Sequence, residues 1–350
     1  MIGIGLVKVD ISMSISSSSH PNLNAACKLG GLFLILGLLL SGCAGPHKPM
    51  PAIARIPEIK KPFFAGQILD LNAKCTISYP ELVKRLSSSD IVFLGEIHDN
   101  PDHHLIQIQI LQSLSEKWGK LTLAVEFLPS TKQLCLNRYM KGTTSEEQFL
   151  KEVNWARTWG FDYHFYRPLL DYQRMSGGPV VAINAPYELV KKVSRVGLRS
   201  LNPEERASLP QHIDLTDKAH RAFLRKIYGY HAHSSLTNFE YFYEAQCVWD
   251  ETMAENVAKW FKKKGGKILV ICGNGHILRG FGIPKRLRHR IKARVTTLLP
   301  YALKEPATLE PGIADFVWLT GKYLRIPKRY QGKLKSTRNQ NAFDKKPQKN

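Results

Sequence analysis

Apolar residues along this chain are grouped in four short runs, separated by longer segments of mixed polarity. The runs are almost continuously apolar and rich in β-branched residues, and they extend from Ile91 to Leu94, Leu121 to Val125, Pro179 to Ile183 and Lys267 to Cys272. Strands that are buried on both faces, as in a parallel sheet, have this pattern. We therefore predict that the four runs form neighbouring strands of a mostly parallel sheet.

The segments between these runs have the spacing of helices. Apolar positions recur at helical intervals from His104 to Trp118, which places a helix between the first two strands. No comparable apolar run occurs from 187 to about 260, where Asn202-Pro203 followed by two acids is typical of a helix start. The pattern predicts an α/β fold, with a mostly parallel sheet flanked by helices and a smaller all-helical subdomain inserted at about 187–260.

The amino-terminal segment has the pattern of a secretory leader. Its apolar run from Leu29 to Leu40 is shorter than the roughly 20 residues that span a bilayer. The sequence Leu40-Ser41-Gly42-Cys43 resembles the bacterial lipobox, in which the cysteine is lipidated after cleavage. We expect 1–43 to be a lipoprotein signal peptide, with Cys43 as the lipidation site. Ala44 after the cysteine, as in the lipoprotein pattern, indicates a protein lipid-anchored in the cell envelope, at the outer membrane.

Composition and charge divide the remaining chain into a tether, a folded body and a tail. Five prolines in 44–65 predict an extended, Pro-rich tether. The 350 residues include 50 Lys and Arg against 29 Asp and Glu, a net charge of +21, which favours acidic partners such as an anionic membrane or a ligand with carboxylates. Eight Lys and Arg with one Asp give +7 to 326–350, which we predict to be a basic disordered tail. The folded body is then 66–325.

The cysteines and the basic run after the last strand predict little chemistry of their own. Cys75, Cys135, Cys247 and Cys272 contain no CxxC pair, so we expect buried free thiols rather than disulfides. The run from Lys285 to Arg288, with Arg279, has no interleaved aromatic residues, which argues against nucleic-acid binding. We expect it to be a solvated face, with attraction of an anionic group as the alternative.

Polar residues follow each predicted strand directly. These residues are Glu96, His98, Glu126, Asn184 and His276, with glycines beside them. Ligands bind at the carboxyl ends of parallel strands, so these side chains are predicted to meet at one edge of the sheet. Two chemistries fit the set: a divalent metal held by His98, His276 and Glu96, or acid–base catalysis by Glu96, His98, Glu126 and His276.

The helix that contains Ala245 to Ala254 adds polar groups near this edge. Gln246, Asp250 and Glu251 share one side of it at helical spacing. We expect Gln246 and Asp250 to orient the two histidines, with a solvent-facing acidic side as the alternative.

Seven motifs in series carry a resemblance to a known family. Their order and spacing between Asp90 and Leu287 resemble the ChaN-like haem-binding lipoproteins of the Tiki and erythromycin-esterase superfamily. The motifs are Gly95-Glu96-Ile97-His98-Asp99-Asn100-Pro101 with Asp102-His103-His104, Val125-Glu126-Phe127, Tyr166-Arg167-Pro168-Leu169-Leu170, Ala182-Ile183-Asn184-Ala185-Pro186, Ala245-Gln246-Cys247-Val248-Trp249-Asp250-Glu251-Thr252-Met253-Ala254, Gly273-Asn274-Gly275-His276 and Gly282-Ile283-Pro284-Lys285-Arg286-Leu287.

The resemblance implies an envelope protein that binds ferric haem through a tyrosine and serves haem or iron uptake. Tyr166 and Tyr230 are equal candidates for the iron ligand, with His231 and His233 as partners for the propionates. It also implies a homodimer on haem binding as one arrangement. Two alternatives remain at this stage: a metal-dependent hydrolase that uses the strand-end residues, and a structural surface lipoprotein in which they are vestigial.

Overall fold

The structure, a computed structural model, describes residues 52–57, 59–230 (the side chain of Tyr230 excepted) and 238–322. Within these ranges the strands are β1 (Ile53–Arg55), β2 (Phe63–Phe64), β3 (Ile68–Asp70), β4 (Cys75–Ile77), β5 (Ile91–Glu96), β6 (Thr122–Pro129), β7 (Val180–Asn184), β8 (Ile268–Gly273), β9 (Val295–Ala302), β10 (Ala307–Thr308) and β11 (Phe316–Thr320). The α-helices are α1 (Tyr79–Ser87), α2 (Pro101–Trp118), α3 (Gln133–Met140), α4 (Glu146–Glu152), α5 (Trp155–Thr158), α6 (Arg167–Ser176), α7 (Tyr187–Val196), α8 (Pro203–Ala207), α9 (Lys218–Tyr230), α10 (Phe239–Lys264) and α11 (Ile283–Arg288).

Eight of these strands form one sheet in the order β4-β3-β11-β9-β5-β8-β6-β7. The six strands from β11 to β7 are parallel to their neighbours, and β3 and β4 are antiparallel at one edge. The four predicted strands are β5, β6, β7 and β8, and the predicted α/β class is confirmed. β1, β2 and β10 make a separate three-stranded sheet.

Two hydrophobic cores cover the two faces of the large sheet. Val92 and Leu94 of β5 pack into one core, whereas Ile91 and Phe93 pack into the other. Both pairs are fully buried, so the strand offers no polar position to solvent. This is why the central strands are apolar throughout rather than alternating.

β9 and β11 are parallel strands that the sequence pattern did not predict. β9 contains Thr296, Thr297 and Pro300, which interrupt the apolar run that marks the other central strands. The hydroxyl of Thr297 is satisfied by Asp315, at 2.8 Å from its Oδ2, just before β11. Asp315, 18 residues further along the chain, thus satisfies the polar side chain of Thr297 inside the sheet. The local sequence pattern around β9 does not reveal this contact.

Between β7 and β8 the described chain forms helices, with apolar clusters separate from the two sheet cores. α8 begins where Asn202-Pro203 predicted a helix start, with a capping box in which Asn202 and Glu205 bond each other's backbone. α10 is the longest helix and contacts both α7 and the sheet through buried residues such as Val248 and Val257.

Residues near the start of the described chain pack against the body. Ala54 and Phe63, which lie in the part of the chain predicted to be a tether, are buried in the core beneath β1 and β2. The four described cysteines are free thiols, as predicted. Cys247 and Cys272 are buried as expected, but Cys75 is exposed and Cys135 half-buried, because each lies near the outside of the fold.

The outer edge of β7 is paired with a side chain instead of another strand. The carboxamide of Gln133, at the start of α3, accepts a hydrogen bond from Ala182 N at 2.7 Å and donates one to Val180 O at 2.9 Å. One side chain thus replaces two bonds of a neighbouring strand.

Several predictions fall outside the described residues. These are the signal peptide and Cys43, the first part of the tether, His231 and His233, and the tail 326–350. In the part of the chain that the structure describes, no helix is both long enough and apolar enough to cross a membrane.

Candidate functional site

The carboxyl ends of β5, β6 and β8 bring four of the predicted residues together. Glu96 ends β5, Glu126 lies near the end of β6, His98 follows β5 and His276 follows β8. Glu96 and Glu126 are each below 5% exposed, and the histidines are mostly buried. We call Glu96, His98, Glu126 and His276 the strand-end cluster.

Each histidine of the cluster bonds a carboxylate. His98 Nδ1 is 2.6 Å from Glu96 Oε1, and His276 Nε2 is 3.3 Å from Glu126 Oε1. The other oxygen of Glu126 accepts a hydrogen bond of 2.6 Å from the backbone N–H of Gly273. The carboxylates therefore fix the orientation of both imidazole rings.

Gly273 lets the His98 ring lie directly against β8. A Cβ at this position would be 2.9 Å from His98 Cε1 and 3.1 Å from its Nε2, closer than real Cβ atoms approach. The Nε2 side of His98 is therefore turned toward β8 and the Glu126 carboxylate beyond it. The requirement here is space, because the φ of Gly273 is −59°, which any residue adopts.

A second carboxylate holds His276 from α10, as the helix pattern predicted for Asp250. His276 Nδ1 is 2.7 Å from Asp250 Oδ1, so His276 lies between Asp250 and Glu126. Gly282 closes this arrangement, because a Cβ there would overlap the carbonyl oxygen of His276 and lie 2.9 Å from Asp250 Oδ1. No hydrogen bond from Gln246 to either histidine is present among the described residues, so the expectation for Gln246 stays a prediction.

The basic run after β8 is not simply solvated, which corrects that expectation. Arg286 is buried, with its Nε 3.1 Å from Glu251 Oε1, and Arg290 Nη2 is 2.6 Å from Glu251 Oε2. Lys285 bonds Asp217 at 2.6 Å. Glu251 therefore pairs with α11 instead of orienting a histidine, and the arginine charge is used inside the protein.

Two residues outside the predicted set support Glu96. Gln107 Nε2 donates to Glu96 Oε2 at 2.6 Å, and His104 bonds Gln107 Oε1 at 3.0 Å and the carbonyl of His98 at 3.1 Å. Beside them, His103 Nδ1 accepts from Ile97 N, and burial lowers the pKa of His103 to about 3. The histidine pair was visible as a motif, but only the packing of α2 against β5 shows which carboxylate it serves.

Tyr166, one of the two predicted candidates for the iron ligand, bonds a carboxylate of the cluster. It is fully buried, and its hydroxyl donates to Glu96 Oε1 at 2.8 Å. Burial and the adjacent Glu96 carboxylate raise the pKa of Tyr166 well above its ordinary value. A phenol in this position does not face solvent and stays protonated.

Aromatic rings form the wall of the cluster. Trp159 and Phe161 pack on His98 with ring centroids 4.7 and 4.8 Å away, and Trp249 lies 6.1 Å from His276. A cavity of about 10 Å³, room for about one water, lies between Trp159, Trp249 and Asn184. Asn184 is at the predicted edge, where its Oδ1 accepts from the N–H of Ala185.

The ionisable groups in and around the cluster strongly shift one another's pKa values. Burial by itself would lower the pKa of His276, but Glu126 and Asp250 raise it to about 10. Burial would raise the pKa of Glu96, but His104 and His98 lower it to about 2. Burial likewise opposes the charge on His98, yet the bond to Glu96 raises its pKa. At neutral pH the cluster therefore holds ionised carboxylates around a positively charged His276.

The predicted metal set does not assemble in this geometry. Among the residues that the structure describes, no three His, Cys, Asp or Glu side chains are grouped to hold a metal ion. Glu96 Oε1 and the Nδ1 of His98 are engaged with each other, and both ring nitrogens of His276 face carboxylates. Histidines and carboxylates that are bonded to one another in this way are better suited to exchange protons than to coordinate a metal ion.

Comparison with known proteins identifies the family. The model of the family described as haem-binding uptake, Tiki superfamily, ChaN matches residues 82–287, more than half of the chain. The chain belongs to this family. The matched residues include α2, the whole strand-end cluster and all but the last residue of α11.

Solved and curated relatives of this ChaN family member show the extent of the likeness. A structure of ChaN from Campylobacter jejuni, described as showing cofacial haem binding, has a TM-score of 0.58 and 19% identity, and covers 72% of this chain and 95% of that one. A mutant of the erythromycin esterase EreC in its open conformation gives a TM-score of 0.41 at 13% identity, covering 68% and 77%. RETICULATA-RELATED 5, a chloroplastic protein of Arabidopsis thaliana, is 27% identical over 67% of this chain, which spans about a third of that protein's length.

Haem does not fit at the strand-end cluster as the structure shows it. The cavity beside the cluster has room for about one water, and Tyr166 is bonded to Glu96. The carboxyl-terminal part of α9 offers a better donor set. There the Tyr228 ring packs edge-on against Phe239 and tilted against Phe242, with ring centroids 5.5 Å apart in both pairs. Arg225 lies 4.0 Å above the Phe239 ring, and the helix ends at Tyr230.

Proposed function

We propose that this chain is a membrane-anchored haem-binding protein that serves haem or iron uptake. The observation that carries the proposal is the match to the haem-binding uptake family over residues 82–287. Haem would supply a ferric iron that prefers an anionic oxygen ligand, together with two acidic propionates. We propose a tyrosine of α9 as the ligand of the haem iron.

Tyr230 is the better candidate than Tyr166 for two reasons. The hydroxyl of Tyr166 is buried and already donates to Glu96, so iron binding there would break the support of the cluster. Tyr230 ends α9, a helix that exposes Arg225 and Lys226. Positive side chains on the same helix suit the propionates, and His231 and His233 follow directly in the sequence.

A haemin titration tests the proposal directly. The protein would be residues 43–350 with Cys43→Ser, which keeps every residue that the structure describes. We expect saturation with a ferric tyrosinate-type spectrum, lost in Tyr230→Phe and retained in Tyr166→Phe. Non-saturating absorption, equal in both variants, would contradict a built haem site, and loss in Tyr166→Phe alone would move the site to the sheet edge.

We propose that the anchor is a lipid on Cys43, at the outer membrane. The support is the apolar run and the sequence Leu40-Ser41-Gly42-Cys43. Growth of an expressing bacterium with labelled palmitate should label the full chain, and Cys43→Ser should abolish the label. A labelled Cys43→Ser chain, or an unlabelled native chain in the soluble fraction, would contradict the anchor.

The strand-end cluster favours a second function, acid–base hydrolysis without a metal. The observation is that His276 lies between two carboxylates, those of Asp250 and Glu126, while His98 Nδ1 bonds Glu96 beside it. His98, whose Nδ1 bonds Glu96, would exchange protons with water, while His276 holds its charge between Glu126 and Asp250. Ester and amide substrates should be turned over in the presence of a chelator, with the activity lost in His98→Gln and His276→Gln. Equal turnover by both variants would contradict this function.

A further inference from the structure

The edge of the sheet opposite to the strand-end cluster is strongly basic. Registers between neighbours place the starts of β5, β6, β8 and β9 together, because Ile91 pairs with both Ile268 and Val295, and Thr122 pairs with Ile268. The segments just before these strands expose a set of basic side chains that we call the basic edge: Lys117, Lys120, Lys262, Lys263, Lys264, Lys292 and Arg294.

Few acids balance this charge. In the segments 116–120, 262–267 and 288–294 the one acid is Glu116. Asp90 beside them binds Lys267 at 3.1 Å and Arg294 at 3.4 Å, but Arg294 is still 69% exposed. The excess positive charge therefore faces solvent.

The basic edge is compact enough to act as one surface. β9, β5, β8 and β6 are consecutive in the sheet, so three strand spacings of about 4.8 Å place its loops within roughly 15 Å. Charges at this spacing lie within about two Debye lengths at physiological ionic strength. An extended anionic surface would contact several of them at the same time.

We propose that the basic edge binds the surface of an anionic lipid bilayer. A bilayer fits better than nucleic acid because the tryptophan of these segments is not free for stacking: Trp118 lies beneath Lys267 Nζ at 5.6 Å, and its indole N–H donates to Ser87 O. The exposed His289 is the other aromatic ring in the segments named above. Met175, 86% exposed in the last turn of α6, adds an apolar side chain suited to the headgroup layer. α6 reaches this edge through Gln173, which donates to Leu121 O.

The geometry of the anchor is compatible with this docking. Ala54 of β1 pairs with Ala307, which follows the end of β9, so the described chain begins nearer the carboxyl ends of the central strands. The nine residues from Cys43 to Ala52 span at most about 30 Å. β5, with six residues, measures about 20 Å, so a lipid on Cys43 and the basic edge can reach the same bilayer. This step alone rests on the lipid anchor proposed above.

Docking in this orientation would turn the strand-end cluster away from the membrane. The cluster is at the carboxyl ends of β5, β6 and β8, and the basic edge is at their amino ends. A tether without docking would leave either edge free to face the bilayer.

Co-sedimentation with vesicles tests the proposal without the lipid anchor. Residues 43–350 with Cys43→Ser would be mixed with phosphatidylcholine vesicles that contain 0 or 30 mol% phosphatidylglycerol. One variant combines Lys120→Gln, Lys263→Gln and Lys292→Gln, one from each segment of the basic edge. The control combines Lys141→Gln, Lys151→Gln and Arg199→Gln, which are exposed elsewhere and remove the same charge.

We expect binding to the anionic vesicles alone, weakened by salt. The basic-edge variant should bind on the order of 100-fold more weakly if each lysine contributes fully. The control should stay within about twofold of the parent, and both variants should keep the parent's circular dichroism and melting temperature. Equal losses in the two variants, binding to neutral vesicles, or tighter binding to duplex DNA than to the anionic vesicles would overturn the proposal. Haemin titration of the same proteins is a separate readout, so failure of the haem proposal would be seen independently.

Discussion

The hydroxyl of Tyr166 donates a hydrogen bond of 2.8 Å to Glu96 Oε1, and neither residue is exposed to solvent. The same oxygen of Glu96 bonds His98 Nδ1. The residue directly before α6 therefore helps to orient an imidazole on the loop after β5, and the predictions below follow from such buried pairs.

Tyr166→Phe should destabilise the fold without changing its architecture. A hydrogen bond to a buried charged group contributes about 1.5–3 kcal/mol to the free energy of unfolding, because the carboxylate loses a donor that water cannot replace. Urea unfolding measures this loss. Tyr172→Phe, at a half-buried position against the same core, is the matched control and should change stability by less than about 0.5 kcal/mol. Equal effects would contradict the role of the Tyr166 hydroxyl.

Gly282→Ala should be strongly destabilising, by about 1–3 kcal/mol or more. The added methyl would overlap the carbonyl oxygen of His276, a backbone atom that cannot move aside. Gly229→Ala, in α9 with open space around it, should instead stabilise by about 0.5–1 kcal/mol. Thermal unfolding of both variants tests the pair. A Gly282→Ala variant as stable as the parent would mean that His276 is not held as described.

Stability should be greatest between about pH 4.5 and pH 6.5. The pKa of His276 is raised from 6.5 to about 10, so its contribution is complete below pH 6.5 and is lost as pH rises through 10. The pKa of Glu96 is lowered from 4.5 to about 2, so its contribution is complete above pH 4.5 and is lost as pH falls through 2. Chemical unfolding across pH 2 to 10 measures both. In His276→Gln the alkaline decline should be much smaller, and an unchanged decline would assign it to other groups.

Asp250→Asn should lower the pKa of His276. Removing one of the two carboxylates that face its ring leaves Glu126 alone to stabilise the imidazolium, and a fall of one unit corresponds to about 1.4 kcal/mol. Titration of the His276 ring protons by NMR follows this directly. Glu255→Gln removes a carboxylate of the same helix that bonds Lys259, and should leave the titration unchanged. An unshifted His276 in Asp250→Asn would show that Glu126 dominates.

The central sheet could be predicted from the sequence because its strands are buried on both faces. Val92 and Phe93 pack on opposite cores, so the positions from Ile91 to Leu94 of β5 are all apolar and the run is visible without a partner. β9 was not predicted because Thr297 interrupts its apolar run. The Thr297 hydroxyl is hydrogen-bonded to Asp315, a contact that only the folded chain shows. Strand ends then placed Glu96, His98, Glu126 and His276 correctly at one edge.

The roles within the site were harder to predict. Gln107 bonds Glu96 across 11 positions of sequence, and Tyr166 across 70. The motif that contains Tyr166 indicated an important residue. A tyrosine that ligates iron and a tyrosine that bonds a carboxylate, however, look the same in the sequence. Only burial separates the two.

Gln133 has a consequence for assembly. By bonding Ala182 N and Val180 O it occupies the hydrogen-bonding groups through which a second chain would extend the sheet at β7. Fibril-like growth and strand exchange through this edge of the sheet are therefore disfavoured by a single carboxamide.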